Sequence, residues 1–151
     1  MRPVKILTFI FGPLIILAVF ALFLWGNYIG LIYPEEILIS IGDTEILVEV
    51  AETDKERKDG LSGRDNLEEN KGILFVFNTS DFHKFWMKDM NFPIDIIWIE
   101  ENKEIIDIKE NILPESYPES FTSSKEAKYV LETRAGWVEE KKIEIGDIIS
   151  F

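Results

Sequence analysis

The apolar residues of this chain fall into one long block followed by many short ones. From Ile6 to Trp25 every residue is apolar except Thr8, with Gly12 and Pro13 as small interruptions. Beyond residue 35 the apolar residues come in short runs separated by turn formers, which is the pattern of strands. Segments 36–40 and 44–51 flank Ile41-Gly42-Asp43 and predict a hairpin with a glycine-containing turn. Thr53-Asp54-Lys55-Glu56 has capping-box spacing and opens a short helix that Gly60 ends. Segment 72–77 reads as a buried strand closed by the turn residues Asn78-Thr79-Ser80-Asp81. Segment 94–100 is apolar on both faces and predicts a central strand, with further strands at 104–110, 127–133 and 147–151. Residues 134–142 predict one or two helical turns. Seven or eight short strands predict an all-β antiparallel sandwich or barrel with one or two short helices. Its core is expected from Leu74, Val76, Phe85, Ile96, Trp98, Ile106, Ile108 and Val130.

Two segments fit that frame less simply. Residues 82–88 alternate, placing His83, Phe85 and Met87 on one face and Lys84, Trp86 and Lys88 on the other. Phe85 and Met87 suit the core, which leaves Trp86 and Lys88 as an exposed aromatic-cationic platform for a sugar or peptide. Core packing is the competing expectation for Trp86. Residues 113–125 form a polar loop, of the length at which structureless segments are usually functional or mobile. A plain crossover between sheets fits it equally.

The long block divides the chain into an anchor at 1–26, a linker at 27–35 and a domain at 36–151. About 20 apolar residues span a bilayer as a helix. Arg2 and Lys5 precede the run, and Glu35 and Glu36 are the first charges after it. The positive-inside rule then keeps the N-terminus cytoplasmic and the domain outside, a single-pass membrane protein whose first partner is the lipid bilayer. Trp25, Tyr28 and Tyr33 fit interfacial aromatics. A cleaved signal peptide is the alternative, but the run exceeds the usual h-region of about 7–15 residues and no small-x-small pattern follows it.

Charge and composition narrow the partners. All 28 acids lie beyond residue 34 while Arg2 and Lys5 lie before it, so the domain is more acidic than the chain's net −12. That argues against nucleic acid and against docking on anionic lipid. The absence of cysteine excludes disulfides, thiolate metal sites and cysteine nucleophiles. Glutamine is also absent while Ile, Glu and Lys abound, a composition that leans toward a thermophilic or AT-rich prokaryote. Asn78-Thr79-Ser80 fits the glycosylation acceptor pattern, which is too short to carry weight alone.

A resemblance rests on blocks that lie in order between about Val48 and Phe151. They are Gly60-Leu61-Ser62-Gly63-Arg64, Gly72-Ile73-Leu74-Phe75-Val76-Phe77, Phe85-Trp86-Met87-Lys88, Pro93-Ile94-Asp95-Ile96, Ala127-Lys128-Tyr129-Val130-Leu131-Glu132, Gly136 and Gly146-Asp147. With them the chain resembles a prokaryotic family catalogued as domain of unknown function 192, or uncharacterised protein family 0127. The resemblance implies a jelly-roll-like β-sandwich, exported or membrane-tethered, and implies no activity. Asp89-Met90 stand where members often carry Asn-Thr.

The candidate site residues are Arg64, Trp86, Lys88, Asp95 and Glu132. Asp95 opens an apolar run and needs a cation or backbone donors if buried. Arg64 is the preferred partner over Lys88 and Lys109, because its fork holds a carboxylate at two points. A buried pair pinning a loop to a sheet is the structural reading; a pocket in which Arg64 or Lys88 binds an anionic or hydroxylated ligand is the functional one. His83, Met87 and Met90 offer a copper(I) ligand set, though a lone His and Met on an apolar face are usually core. Asp95 with Glu132 offers an acid–base pair for a hydrolase-type enzyme. No serine elbow, phosphate-binding glycine loop or metal-spaced histidines support catalysis, and no cofactor is implied. The expected function is a binding or accessory module for a small ligand, a glycan or a partner protein. A hydrolase and a structural subunit of a membrane complex are the alternatives.

Overall fold

In the computed structural model, which describes residues 15–22, 24 and 35–151, the predicted strands form one curled seven-stranded sheet and a separate two-stranded ribbon. The hairpin is β1 (Glu36–Ile41) and β2 (Thr44–Ala51), turning at Gly42 with φ 56°. Helix α1 (Asp54–Asp59) follows, and its N-terminus carries the expected capping box: Thr53 Oγ1 accepts from Glu56 N–H, and the Glu56 carboxylate accepts from Thr53 N–H. The chain continues through β3 (Lys71–Asp81), β4 (Phe85–Trp86), β5 (Ile94–Ile99), β6 (Ile105–Ile112), a 3₁₀ turn at Pro114–Ser116 and β7 (Ser120–Phe121). It ends in β8 (Ala127–Arg134), α2 (Trp137–Lys141) and β9 (Ile149–Ser150).

The large sheet runs β6-β5-β8-β3-β2-β1-β9, and β4 pairs with β7 alone. Of the antiparallel sandwich or barrel expected from strand count, the mostly β character is seen, as one curled sheet rather than two packed ones and with one parallel pair. Strands β2 and β3 are parallel, with Val48 opposite Gly72. Parallel neighbours need a crossover rather than a tight turn, and the segment holding α1 provides it. Gly72 is required there by space: a Cβ on it would lie 2.9 Å from the Glu132 carbonyl oxygen.

The sheet curls until its two edges meet. Glu104 bridges to Ile148, the Ile105 N–H donates to Asp147 O at 2.9 Å, and the Ile149 N–H donates to Lys103 O at 2.9 Å. Alternating residues of the shared strands therefore feed two cores. Ile39, Val48, Leu74, Ile97, Leu131 and Ile149 pack inside the curl with Trp137 and Val138 of α2. Ile73, Phe75, Ile96, Trp98, Ile106 and Val130 pack on the other face, under Leu61, Met87 and Phe121. Of the expected core, Leu74, Ile96, Trp98, Ile106 and Val130 are buried, and Val76, Phe85 and Ile108 are partly buried against it.

The predicted anchor and linker lie mostly outside the described residues. Residues 15–22 are helical, and among the described residues no helix is long and apolar enough to cross a membrane.

Candidate functional site

Gly60, Leu61 and Ser62 build one wall of a cleft, and the Gly63 and Arg64 that follow them do not line it. Gly60 ends α1 at φ 47°, and its N–H donates to Glu56 O at 2.8 Å. A side chain there would meet the Phe75 ring at 3.3 Å, so strain and space both favour glycine. Leu61 is buried. Ser62 Oγ donates to Lys88 O at 3.0 Å, Gly63 N–H donates to Asp89 O at 2.8 Å, and Asn91 Nδ2 donates to Arg64 O at 2.9 Å. These bonds dock the turn onto the segment after β4, so two of the motifs read in sequence form one unit.

The second wall is aromatic. Phe85 sits edge-on to Phe75 at 4.9 Å, to Phe77 at 6.4 Å and to Trp98 at 6.3 Å between ring centres. Strand β7 holds β4 in place, with Phe121 opposite Phe85 and Ser120 opposite Trp86. Trp86 remains 56% exposed. The expected split of 82–88 is therefore seen: Met87 is buried, Phe85 packs against the core, and Trp86 and Lys88 face outward. Only Phe85–Trp86 is extended strand, because the ribbon with β7 is two residues long.

Glu132 forms the floor. On β8 it lies opposite Ile73 of β3 and Ile96 of β5, so its neighbours in the sheet are apolar on both sides. It is only 5% exposed and makes no side-chain hydrogen bond or ion pair among the described residues. Burial pushes its carboxyl up to about 8, and the nearby Arg64 charge offsets only part of that. The group is therefore mainly a neutral acid at pH 7. The cleft above it measures about 160 Å³ and is lined by Trp86, Phe85, Phe77, Phe75, Met90, Ser62, Asp59, Arg57, Lys58 and Lys84. Lys58 and Lys84 have no ion-pair partner among the described residues.

Arg64 does not bind Asp95. Its guanidinium forks the Glu49 carboxylate at 2.6 and 2.7 Å, which holds Glu49 below the usual carboxylate range. Asp95 is completely buried and uses backbone donors instead: Oδ1 accepts from Asn111 N–H at 2.8 Å and Oδ2 from Val138 N–H at 3.0 Å. The reason is strand parity. Asp95 lies opposite Thr133, and Glu132 lies opposite Ile96. Asp95 therefore points inside the curl with Ile97, and Glu132 points to the other face with Val130. The two carboxylates cannot act as a pair on one substrate.

The remaining expectations resolve as follows. Lys88 contributes its carbonyl to the wall while its exposed side chain is not among the cleft residues. Lys84 takes the cationic place expected of Lys88, and it shared a predicted face with Trp86. Lys58 and Phe77 had no such signal, since only folding brings α1 against β3. The 113–125 loop braces β4 through β7 but lines a different hollow, with Lys109 and Asn111. His83 stacks flat on Phe77 at 3.4 Å while Met87 is sealed in the core, so these side chains serve packing. Among the described residues no group of three or more His, Asp or Glu is placed to hold a metal ion.

The fold is shared with solved structures. A candidate transcription regulator from Sinorhizobium meliloti 1021 matches with a TM-score of 0.74 at 27% identity, over 78% of this chain and 94% of that chain. A protein of unknown function from Novosphingobium aromaticivorans DSM 12444 matches with a TM-score of 0.73 at 24% identity, over 78% of this chain and 86% of that chain. No curated protein matches the chain. The sequence profile of the DUF192 family, described as an uncharacterised ACR, matches residues 37–151, and the chain belongs to that family.

Proposed function

We propose that this protein is a binding module for a small molecule, held at a membrane by its N-terminal apolar run with the β domain outside the cytoplasm. One observation carries the binding reading: Glu132 is only 5% exposed and has no hydrogen-bond partner among the described residues, yet it lines an open cleft. A ligand oxygen in the cleft would give the Glu132 carboxyl a partner that the fold itself does not supply. The neighbouring Trp86, 56% exposed beside the aromatic wall, offers apolar surface that a ligand would bury.

The hydrolase alternative loses its support, because its two carboxylates project from opposite faces. A regulator's role is named for the Sinorhizobium protein, but for this chain the net charge of −12 disfavours a nucleic-acid partner. The tether rests on the run Ile6 to Trp25 with Arg2 and Lys5 before it.

Thermal shift of the full chain against sugars, peptides and organic anions tests the binding reading. A stabilising ligand whose effect is lost in Trp86→Ala supports it; no stabilisation at ligand levels far above plausible dissociation constants would sink it. The tether is tested by washing membranes that carry the full chain at alkaline pH. Retention is expected, and release into the soluble fraction would overturn it.

A further inference from the structure

The cleft's own chemistry narrows what it can hold. Its volume of about 160 Å³ is close to the roughly 150 Å³ that accommodates a single six-membered ring. Lys58 and Lys84 bring two unpaired positive charges to it in a chain of net charge −12. Asp59 also lines it, and only its Oδ2 is engaged, by Lys55 at 2.5 Å. Oδ1 remains to accept a ligand hydroxyl. A ring bearing only apolar atoms would leave that carboxylate unused.

Glu132 sets the sign. A carboxylate there would repel an anion, whereas a neutral carboxyl donates a hydrogen bond to one. The charged groups around it are Arg64, which is held by Glu49, and the cleft residues Arg57, Lys58, Asp59 and Lys84. Arg57 is committed to Asp54 and to the Val76 carbonyl. The free cations are therefore Lys58 and Lys84.

We infer that the cleft recognises a sugar acid: one hydroxylated ring carrying a carboxylate, with Glu132 donating to a carboxylate oxygen, Lys58 and Lys84 balancing its charge, and Trp86 packing on the ring. This rests on the binding reading above and names its ligand class.

The test is calorimetric titration of the full chain with glucuronate, glucose, glucuronamide and benzoate at pH 6.5 and pH 9. Glucuronate should bind at least about tenfold more tightly than the other three, because none of them presents both the carboxylate and the hydroxyls. With the Glu132 carboxyl at about 8, roughly one-tenth is neutral at pH 9, so affinity should fall about tenfold from pH 6.5. Glu132→Gln keeps a donor and should bind glucuronate with no such fall. Lys84→Ala, an exposed change that leaves the core intact, should weaken glucuronate and leave glucose unchanged. Equal binding of glucose or benzoate, an unchanged pH fall in Glu132→Gln, or no effect of Lys84→Ala would overturn the ligand class. If the thermal-shift panel yields some other ligand, the class fails and the binding reading survives. If neither experiment finds binding, both fail.

Discussion

Glu132 and Asp95 are both buried acids on adjacent strands, and their surroundings supply hydrogen-bond partners to only one of them. Asp95 receives two backbone N–H donors, from Asn111 and Val138. Glu132 receives none, and burial keeps its proton on. The difference has a consequence for stability. A group whose carboxyl is raised from 4.5 to about 8 stabilises the fold fully below its unfolded value, and that contribution is lost as pH rises through the folded value. Stability should therefore decline between about pH 5 and 8, with a slope of at most about 1.4 kcal/mol per pH unit from this group. Glu49, held low by Arg64, acts in the opposite sense and only as pH falls toward acid. Chemical denaturation across this window should show the decline in the native chain and its absence in Glu132→Gln. An equal decline in both would show that Glu132 is not the group responsible. Sequence named both acids but not their roles. The choice of Arg64 as Asp95's partner failed because residue type alone does not reveal which face of a strand a side chain takes.

At the scale of elements, Asp95 joins three pieces that the sequence presents separately. It sits on β5, binds Asn111 near the end of β6, and binds Val138 near the start of α2. Asn111 has φ 54°, and the β5–β6 register shifts between Ile94 and Ile96. Such a bulge leaves backbone groups without strand partners, and the carboxylate takes up one of them. Asp95→Asn keeps the shape but turns one acceptor into a donor that faces an N–H. The expected loss is about 1.5–3 kcal/mol, the usual worth of a hydrogen bond to a charged group. It should be accompanied by faster amide exchange at Val138 and Asn111. Unchanged stability would mean that α2 is held by Trp137 and Val138 packing alone. Elements with strong local signals were legible here. The hairpin, the capping box and strand β5 all follow from patterns within a few residues. Strand β7 did not, because two residues carry no periodicity and exist as strand only through β4.

The architecture of the whole domain was the least legible part, and the reason is specific. Counting strands and turns predicts antiparallel neighbours, and the one short helix legible in 52–70 does not by itself announce a crossover between parallel strands. One such crossover changes the answer from two packed sheets to a single sheet that curls. The curl brings β9 from the far edge to the start of β6, where Ile105 and Ile149 donate across the seam at 2.9 Å. Lys103 adds to the seam, with its Nζ 3.8 Å from the Tyr129 ring centre and 3.2 Å from that of Phe151. In an open sandwich these edge amides would face water and exchange early. In the closed arrangement Ile149 is buried in the same core as Ile97 of the central strand. Native-state hydrogen exchange should therefore place the Ile105 and Ile149 amides in the slow class with Ile97. Exchange at rates typical of exposed edge strands would show that the seam opens independently. The inner core would then have to be stabilised by the β5–β8–β3 centre without it.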